Sequence, residues 1–83
     1  MQLDKKNFEY FNGKEVSILL THKVYGAQKA TGILNLFQDA DKIGFVHNGH
    51  QVFLYHNEIE FFECNAKELK LVGQPLSIKI AII

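Results

Sequence analysis

The fold class is decided by the segment KIGFVHNGHQVFLY, residues 42–55. Two runs rich in β-branched and aromatic residues flank Asn48-Gly49. This dipeptide between apolar runs is the strongest short-range signal of a β-hairpin with a type I′ turn. The segment therefore predicts two antiparallel strands, over 42–47 and 51–55, joined by a two-residue turn.

On both sides of this hairpin, apolar residues alternate with polar ones, which is the pattern of half-buried strands. Further strands are therefore predicted over 14–21, 31–37, 59–63 and 76–82. The segments between them predict a hairpin loop over 22–29, a turn over 38–41 and a tight corner over 56–58. Residues 66–72 leave the choice of secondary structure open.

The first dozen residues predict a short helix, over 3–12. Asp4 is placed to be its N-cap, with Leu3 and Phe8 at the two positions of a hydrophobic staple. Gly13 follows the helix, where a left-handed backbone conformation is needed. The predicted order is therefore a helix followed by closely spaced antiparallel strands, which is the plan of a small bent barrel.

Composition limits the function. The chain of 83 residues has a formal net charge of zero, and its nine cationic side chains are all Lys. A strongly basic nucleic-acid clamp and a site built on bidentate Arg contacts are therefore excluded. One cysteine, Cys64, cannot form an internal disulfide, which favours a reducing compartment, the cytoplasm. No apolar run approaches the ~20 residues of a membrane span, so no membrane association is expected.

Four motifs carry a resemblance to a known family: Gly13-Lys14-Glu15-Val16, Thr31-Gly32-Ile33-Leu34, Asp39 and the segment from Val52 to Ile59. In this order and spacing, over residues 8–62, the chain resembles the Sm/Lsm family, with Tyr55-His56-Asn57 where its Hfq-like members carry Tyr-Lys-His. The chain departs from the family at Ala40 and Lys42, where a stacking side chain and a base-contacting Asn are usual.

The resemblance implies a mainly β fold, an Sm-like (SH3-type) small β-barrel with a short N-terminal helix and an extra C-terminal strand. One Sm-like domain would span 1–83, with the helix over 3–12, the barrel over 14–63 and a C-terminal extension over 64–83. It also implies a homo-oligomeric ring of about five to seven subunits that binds single-stranded RNA, or single-stranded DNA.

In such a ring the turns at 39–42 and 55–57 line the pore, which makes five residues candidate nucleic-acid contacts: Asp39, Lys42, Tyr55, His56 and Asn57. Tyr55 or His56 would stack on a base, Asn57 would bind a base edge, and Lys42 would meet phosphate. An alternative is that Asp39 and Asn57 are turn residues that bond to their own backbone.

The sequence leaves two other functions open. The barrel could be a protein-interaction module with no nucleic-acid role, as the neutral charge and the apolar residues 76–83 suggest. A metal-dependent enzyme would need His47 and His50, which face each other across the hairpin, with His22 or His56 as a third ligand. Without a credible catalytic constellation, we expect no enzyme activity, no cofactor and no metal.

Overall fold

One helix and eight strands form the computed structural model, which describes residues 2–83. Helix α1 spans Lys5–Phe11 and a 3-10 turn spans His56–Glu58. The strands are β1 (Glu15–His22), β2 (Gly26–Ile33), β3 (Leu36–Gln38), β4 (Lys42–His47), β5 (His50–Tyr55), β6 (Ile59–Cys64), β7 (Glu68–Gly73) and β8 (Leu76–Ile82). The predicted mainly β class with a short N-terminal helix is confirmed.

The strands form two antiparallel sheets, one of five strands in the order β2-β1-β8-β7-β6 and one of three in the order β3-β4-β5. Among residues 2–83 no strand ladder joins the sheets, so the closed barrel that the sequence predicts is not seen. The predicted second strand is broken in two. Gly32 has φ of +153°, and beyond it the chain leaves β2 in one sheet and enters β3 in the other.

The core lies between the two sheets. Val16 and Ile18 of β1 face inward from the large sheet, and Ile43 and Phe45 of β4 face inward from the small one. Phe11 of α1 is fully buried and belongs to the same core. Burial of this kind contributes about 1.5–3 kcal/mol for each large apolar side chain.

Helix α1 is shorter than the predicted 3–12, since it spans Lys5–Phe11, but the residues that the sequence places at its two ends act as predicted. The Asp4 side chain accepts a hydrogen bond from the Asn7 backbone N–H at 2.8 Å, and Gly13 has φ of +85°. The side-chain amide of Gln38 holds the preceding segment, accepting from the Leu3 N–H and donating to the Leu3 carbonyl, both at 2.8 Å. The helix is thereby fixed to the edge of the small sheet.

The β4–β5 hairpin has the predicted type I′ turn, because Asn48 and Gly49 have φ of +50° and +79°. Within the hairpin, Gly44 allows close approach of the two strands. A Cβ at this position would lie 2.6 Å from the Phe53 Cα and would overlap the Val52 carbonyl oxygen. No larger residue fits there without moving the backbone.

The predicted hairpin loop over 22–29 is too long: β1 and β2 form the hairpin, but only residues 23–25 lie between them. Strand β2 begins at Gly26, and each of its residues pairs with β1 as far as the His22–Gly26 pair. Residues 26–29 are all exposed, so this part of the strand has no apolar face and no alternating pattern to reveal it. Backbone pairing with β1 holds it in place.

The C-terminal segment contains two strands where one was predicted. Strand β7 occupies most of the unassigned residues 66–72, and β8 lies between β7 and β1. Ile78 and Ile80 of β8 and Leu69 and Leu71 of β7 are buried. The segment is therefore part of the main sheet and its core. Across residues 2–83, no helix has the length and apolar character needed to cross a membrane.

Candidate nucleic-acid interface

The five candidate residues lie together at one end of the small sheet, where the β3–β4 turn meets the corner after β5. Lys42 and Tyr55 are paired in the β4–β5 ladder. The His56 backbone N–H donates to the Asp41 carbonyl at 2.8 Å, which joins the two turns. The two turns therefore meet, as the resemblance implies, and the register of the β4–β5 hairpin is the physical reason, since it brings both ends of 42–55 together.

Asp39 closes the first turn. Its Oδ1 accepts hydrogen bonds from the backbone N–H groups of Asp41, at 2.8 Å, and Lys42, at 3.0 Å. Both hydrogen bonds lower the pKa of the Asp39 carboxyl group below its ordinary value, and the bond from Asp41 has the larger effect. The carboxylate is thus engaged with its own turn, as the alternative interpretation of the sequence proposed.

His56 ties the second turn to the first. Its Nε2 lies 2.9 Å from the Asp39 carbonyl oxygen, and since a carbonyl can only accept, Nε2 carries the proton and donates. Together with the backbone bond to Asp41, this contact fixes the half-buried imidazole. His56 therefore positions the turns, which differs from the stacking role that the sequence allowed.

Tyr55 and Asn57 present groups to solvent at the same end. The Tyr55 side chain is 47% exposed, and its ring meets the Phe53 ring edge-on at 5.3 Å. Its backbone N–H donates to the Glu58 carboxylate at 3.1 Å. Within residues 2–83 no hydrogen-bond partner holds the exposed Asn57 amide. One aromatic face and one free amide are therefore available to a ligand.

An open depression of about 660 Å³ lies against these residues and is lined by Ala40, Asp41, Tyr55, His56, Asn57 and Glu58. Its charged lining groups, Asp41 and Glu58, are both carboxylates. Lys42 lies outside the lining, with its Nζ 4.9 Å from the centre of the Phe53 ring. The depression can therefore accept a base or an amino group, and phosphate is disfavoured inside it.

An aromatic row behind Tyr55 was missed by the sequence reasoning. Phe37 and Phe53 lie on either side of Gly44 in the ladder, with ring centres 6.5 Å apart, and Tyr55 continues the row. The period of two along β5 places Phe53 and Tyr55 on one face and could have revealed this pair. Phe37 required the register of β3, which local pattern does not supply.

The catalytic alternatives gain no support. Among residues 2–83 no group of three or more His, Cys, Asp or Glu side chains is placed to hold a metal ion, although His47 and His50 are paired as predicted. Burial raises the pKa of the Cys64 thiol, and the negative charge of Asp4 adds to this effect. The reactive thiolate is thereby disfavoured at this cysteine.

No protein-family model, curated protein or solved structure matches the chain. The resemblance to the Sm/Lsm family therefore rests on the motifs quoted above. Function has to be argued from the chemistry of the site, since a fold class alone does not determine function.

Proposed function

We propose that the protein binds single-stranded nucleic acid, RNA in the first place, as an Hfq-like homo-oligomeric ring in the cytoplasm. The observation that carries the proposal is the pair of turns joined through His56, which presents Tyr55 and Asn57 beside an open depression. Single strands are recognised by stacking of bases on aromatic rings and by hydrogen bonds to base edges.

The carboxylates of the depression refine the proposed chemistry. Tyr55 supplies the stacking face, and the Asn57 amide supplies a donor and an acceptor for a base edge. Asp41 and Glu58 accept from amino groups of bases, as carboxylates do in base recognition. The phosphates of the strand then lie outside the depression, where Lys42 is the nearest candidate cation.

An Sm-like barrel is the finer fold that we propose, and the order of elements supports it. Helix α1, strand β1, a second strand bent at Gly32, the short β4–β5 hairpin and the 3-10 turn before β6 follow one another as the family resemblance implies. The β7–β8 hairpin is the main addition, and it separates β6 from β1.

Ring assembly is supported by the strands that end the two sheets. Within residues 2–83, four strands pair on one side only, and β5 and β6 are two of them. In Sm-like rings these two strands pair between neighbouring subunits. β6 carries Glu60 and Glu63, whereas β5 carries no acidic residue. Two β6 edges would therefore repel each other, which favours pairing of β6 with β5 of the neighbouring subunit. About five to seven copies of a weak site around one pore would raise the affinity without a new contact.

Fluorescence anisotropy with labelled oligo-U and oligo-A at low salt tests the proposal. Because loss of one stacked base costs about 1–3 kcal/mol, Tyr55→Ala should weaken binding about fivefold or more. Tyr25→Ala is the matched control, since Tyr25 is 85% exposed at the distant β1–β2 turn. Absence of binding at roughly 50 µM protein, or equal binding by both variants, would refute the proposal.

A protein-interaction module is the second candidate. Phe61 is 44% exposed on strand β6, which has one free edge, so an extended segment of a partner protein could pair with this edge and cover the Phe61 side chain. A partner protein that stays bound after nuclease treatment and is lost in Phe61→Asp would favour this function.

A further inference from the structure

A groove of about 230 Å³ crosses the outer face of the five-stranded sheet, on the side away from the core. Leu19, Val72 and Ile78 line its apolar part, and Lys70, Lys79, Thr21 and Ser77 contribute polar groups. Because Ile78 and Ile80 are buried, the period of two places Lys79 and Ser77 on the opposite, outer face. The groove is distant in sequence from the turns at 39–42 and 55–57.

The two cationic side chains of the groove are direct neighbours. Lys70 and Lys79 are paired in the β7–β8 ladder, and like charges in this position destabilise a sheet. Lys79 forms an ion pair with Glu68 at 3.2 Å, and Glu63 is the ladder partner of Lys70 on its other side. No ion pair involves Lys70 within residues 2–83. The pair of ammonium groups is thus only partly compensated by the protein.

Hydroxyl groups lie one step along the same face. Thr21 and Ser77 are paired in the β1–β8 ladder, and Ser77 is also paired with Val72. No carboxylate is among the residues that line the groove. Two cations beside two hydroxyl donors are the groups that bind a phosphate, whose oxygens accept hydrogen bonds from both.

We propose that this groove binds a phosphate group, held by the ammonium groups of Lys70 and Lys79 and by the hydroxyl groups of Thr21 and Ser77. A bound phosphate relieves the repulsion between the two ammonium groups, which the ion pair of Lys79 with Glu68 compensates only in part. The phosphate can belong to a small phosphorylated molecule or to the backbone of a nucleic-acid strand, since both present the same oxygens. The site does not depend on the function proposed for the turns.

Amide chemical shifts of the isotope-labelled protein, followed during titration with inorganic phosphate at constant ionic strength, test the site. We expect saturable shifts centred on 19–21, 70–72 and 77–79, with none of this pattern during a sodium chloride titration. Lys70→Gln combined with Lys79→Gln should weaken phosphate binding at least tenfold. Lys5→Gln with Lys6→Gln removes the same charge from the exposed face of α1 and should leave binding unchanged.

Further arms with a nucleoside monophosphate and a short oligonucleotide distinguish the sources of the phosphate. Tighter binding of the oligonucleotide at these amides assigns the groove to a nucleic-acid backbone, and tighter binding of the monophosphate assigns it to a small molecule. If the double variant loses its folded spectrum, Lys70→Gln alone serves, because it breaks no ion pair. Shifts absent at millimolar phosphate, or unchanged in the lysine variants, would overturn the proposal, whereas Tyr55→Ala should leave them intact.

Discussion

At the scale of single residues, the candidate site separates into groups that shape it and groups that are free to bind. Asp39 and His56 hold the two turns together through backbone contacts. Tyr55 and Asn57 remain exposed. The family resemblance placed all four in one site, because both turns line the pore of an Sm-like ring, but it could not assign these roles, which depend on hydrogen bonds across the two turns.

Asp39→Asn tests the turn, because it keeps an acceptor oxygen and removes the charge. The hydrogen bonds lower the pKa of Asp39 from 3.8, so the folded state binds this proton less readily than the unfolded chain. The charge therefore stabilises the fold above this value, and the stabilisation is lost as the pH falls through the lowered pKa. In urea denaturation, we expect the variant to be less stable than the wild type at pH 7, with a difference that shrinks towards pH 2. A difference independent of pH would contradict this role.

Gly44→Ala tests the close approach of β4 and β5. The added Cβ would lie 2.6 Å from the Phe53 Cα, so the backbone has to move, and overpacking of this kind costs about 1–3 kcal/mol. Gly13→Ala is the comparison, since a Cβ there meets no atom within 4 Å and the cost is that of φ at +85° alone. Chemical denaturation measures both variants. A Gly44 variant as stable as the wild type would be inconsistent with the tight hairpin.

At the scale of elements, local signals were sufficient where the partner lies nearby in the chain. Helix α1 and the β4–β5 hairpin follow from a cap and from Asn48-Gly49. The exposed start of β2 has no apolar face to detect. The placement of β8 beside β1 joins residues some sixty positions apart, and no local pattern specifies such a pairing.

Removal of 65–83 tests whether the C-terminal hairpin is an extension or part of the fold. The truncation deletes β7 and β8, and it leaves Val16 and Ile18 of β1 without their β8 ladder neighbours and without the four buried residues of the hairpin. Loss of four buried aliphatic side chains at about 1.5–3 kcal/mol each approaches or exceeds the stability of a small domain. Circular dichroism should show no cooperative unfolding. A chain lacking only Ile83, which is 69% exposed, should remain folded. Cooperative unfolding of the truncated chain would mean that the protein folds without the C-terminal hairpin.

At the scale of the whole molecule, zero net charge hides an uneven distribution. The depression at the turns is lined by Asp41 and Glu58, and the groove on the large sheet is lined by Lys70 and Lys79. A single-strand site led by stacking, with phosphate contacts elsewhere, is compatible with this distribution. The absence of Arg remains consistent with weak binding that decreases as the salt concentration rises.

Native mass spectrometry of the protein mixed with a short single-stranded RNA tests the ring and its ligand in one measurement. We expect a complex of about five to seven subunits of 9.5 kDa carrying one RNA strand. Without RNA, we expect a ring with the same number of subunits. A monomer under both conditions, or a ring that takes up no RNA, would contradict the proposed function.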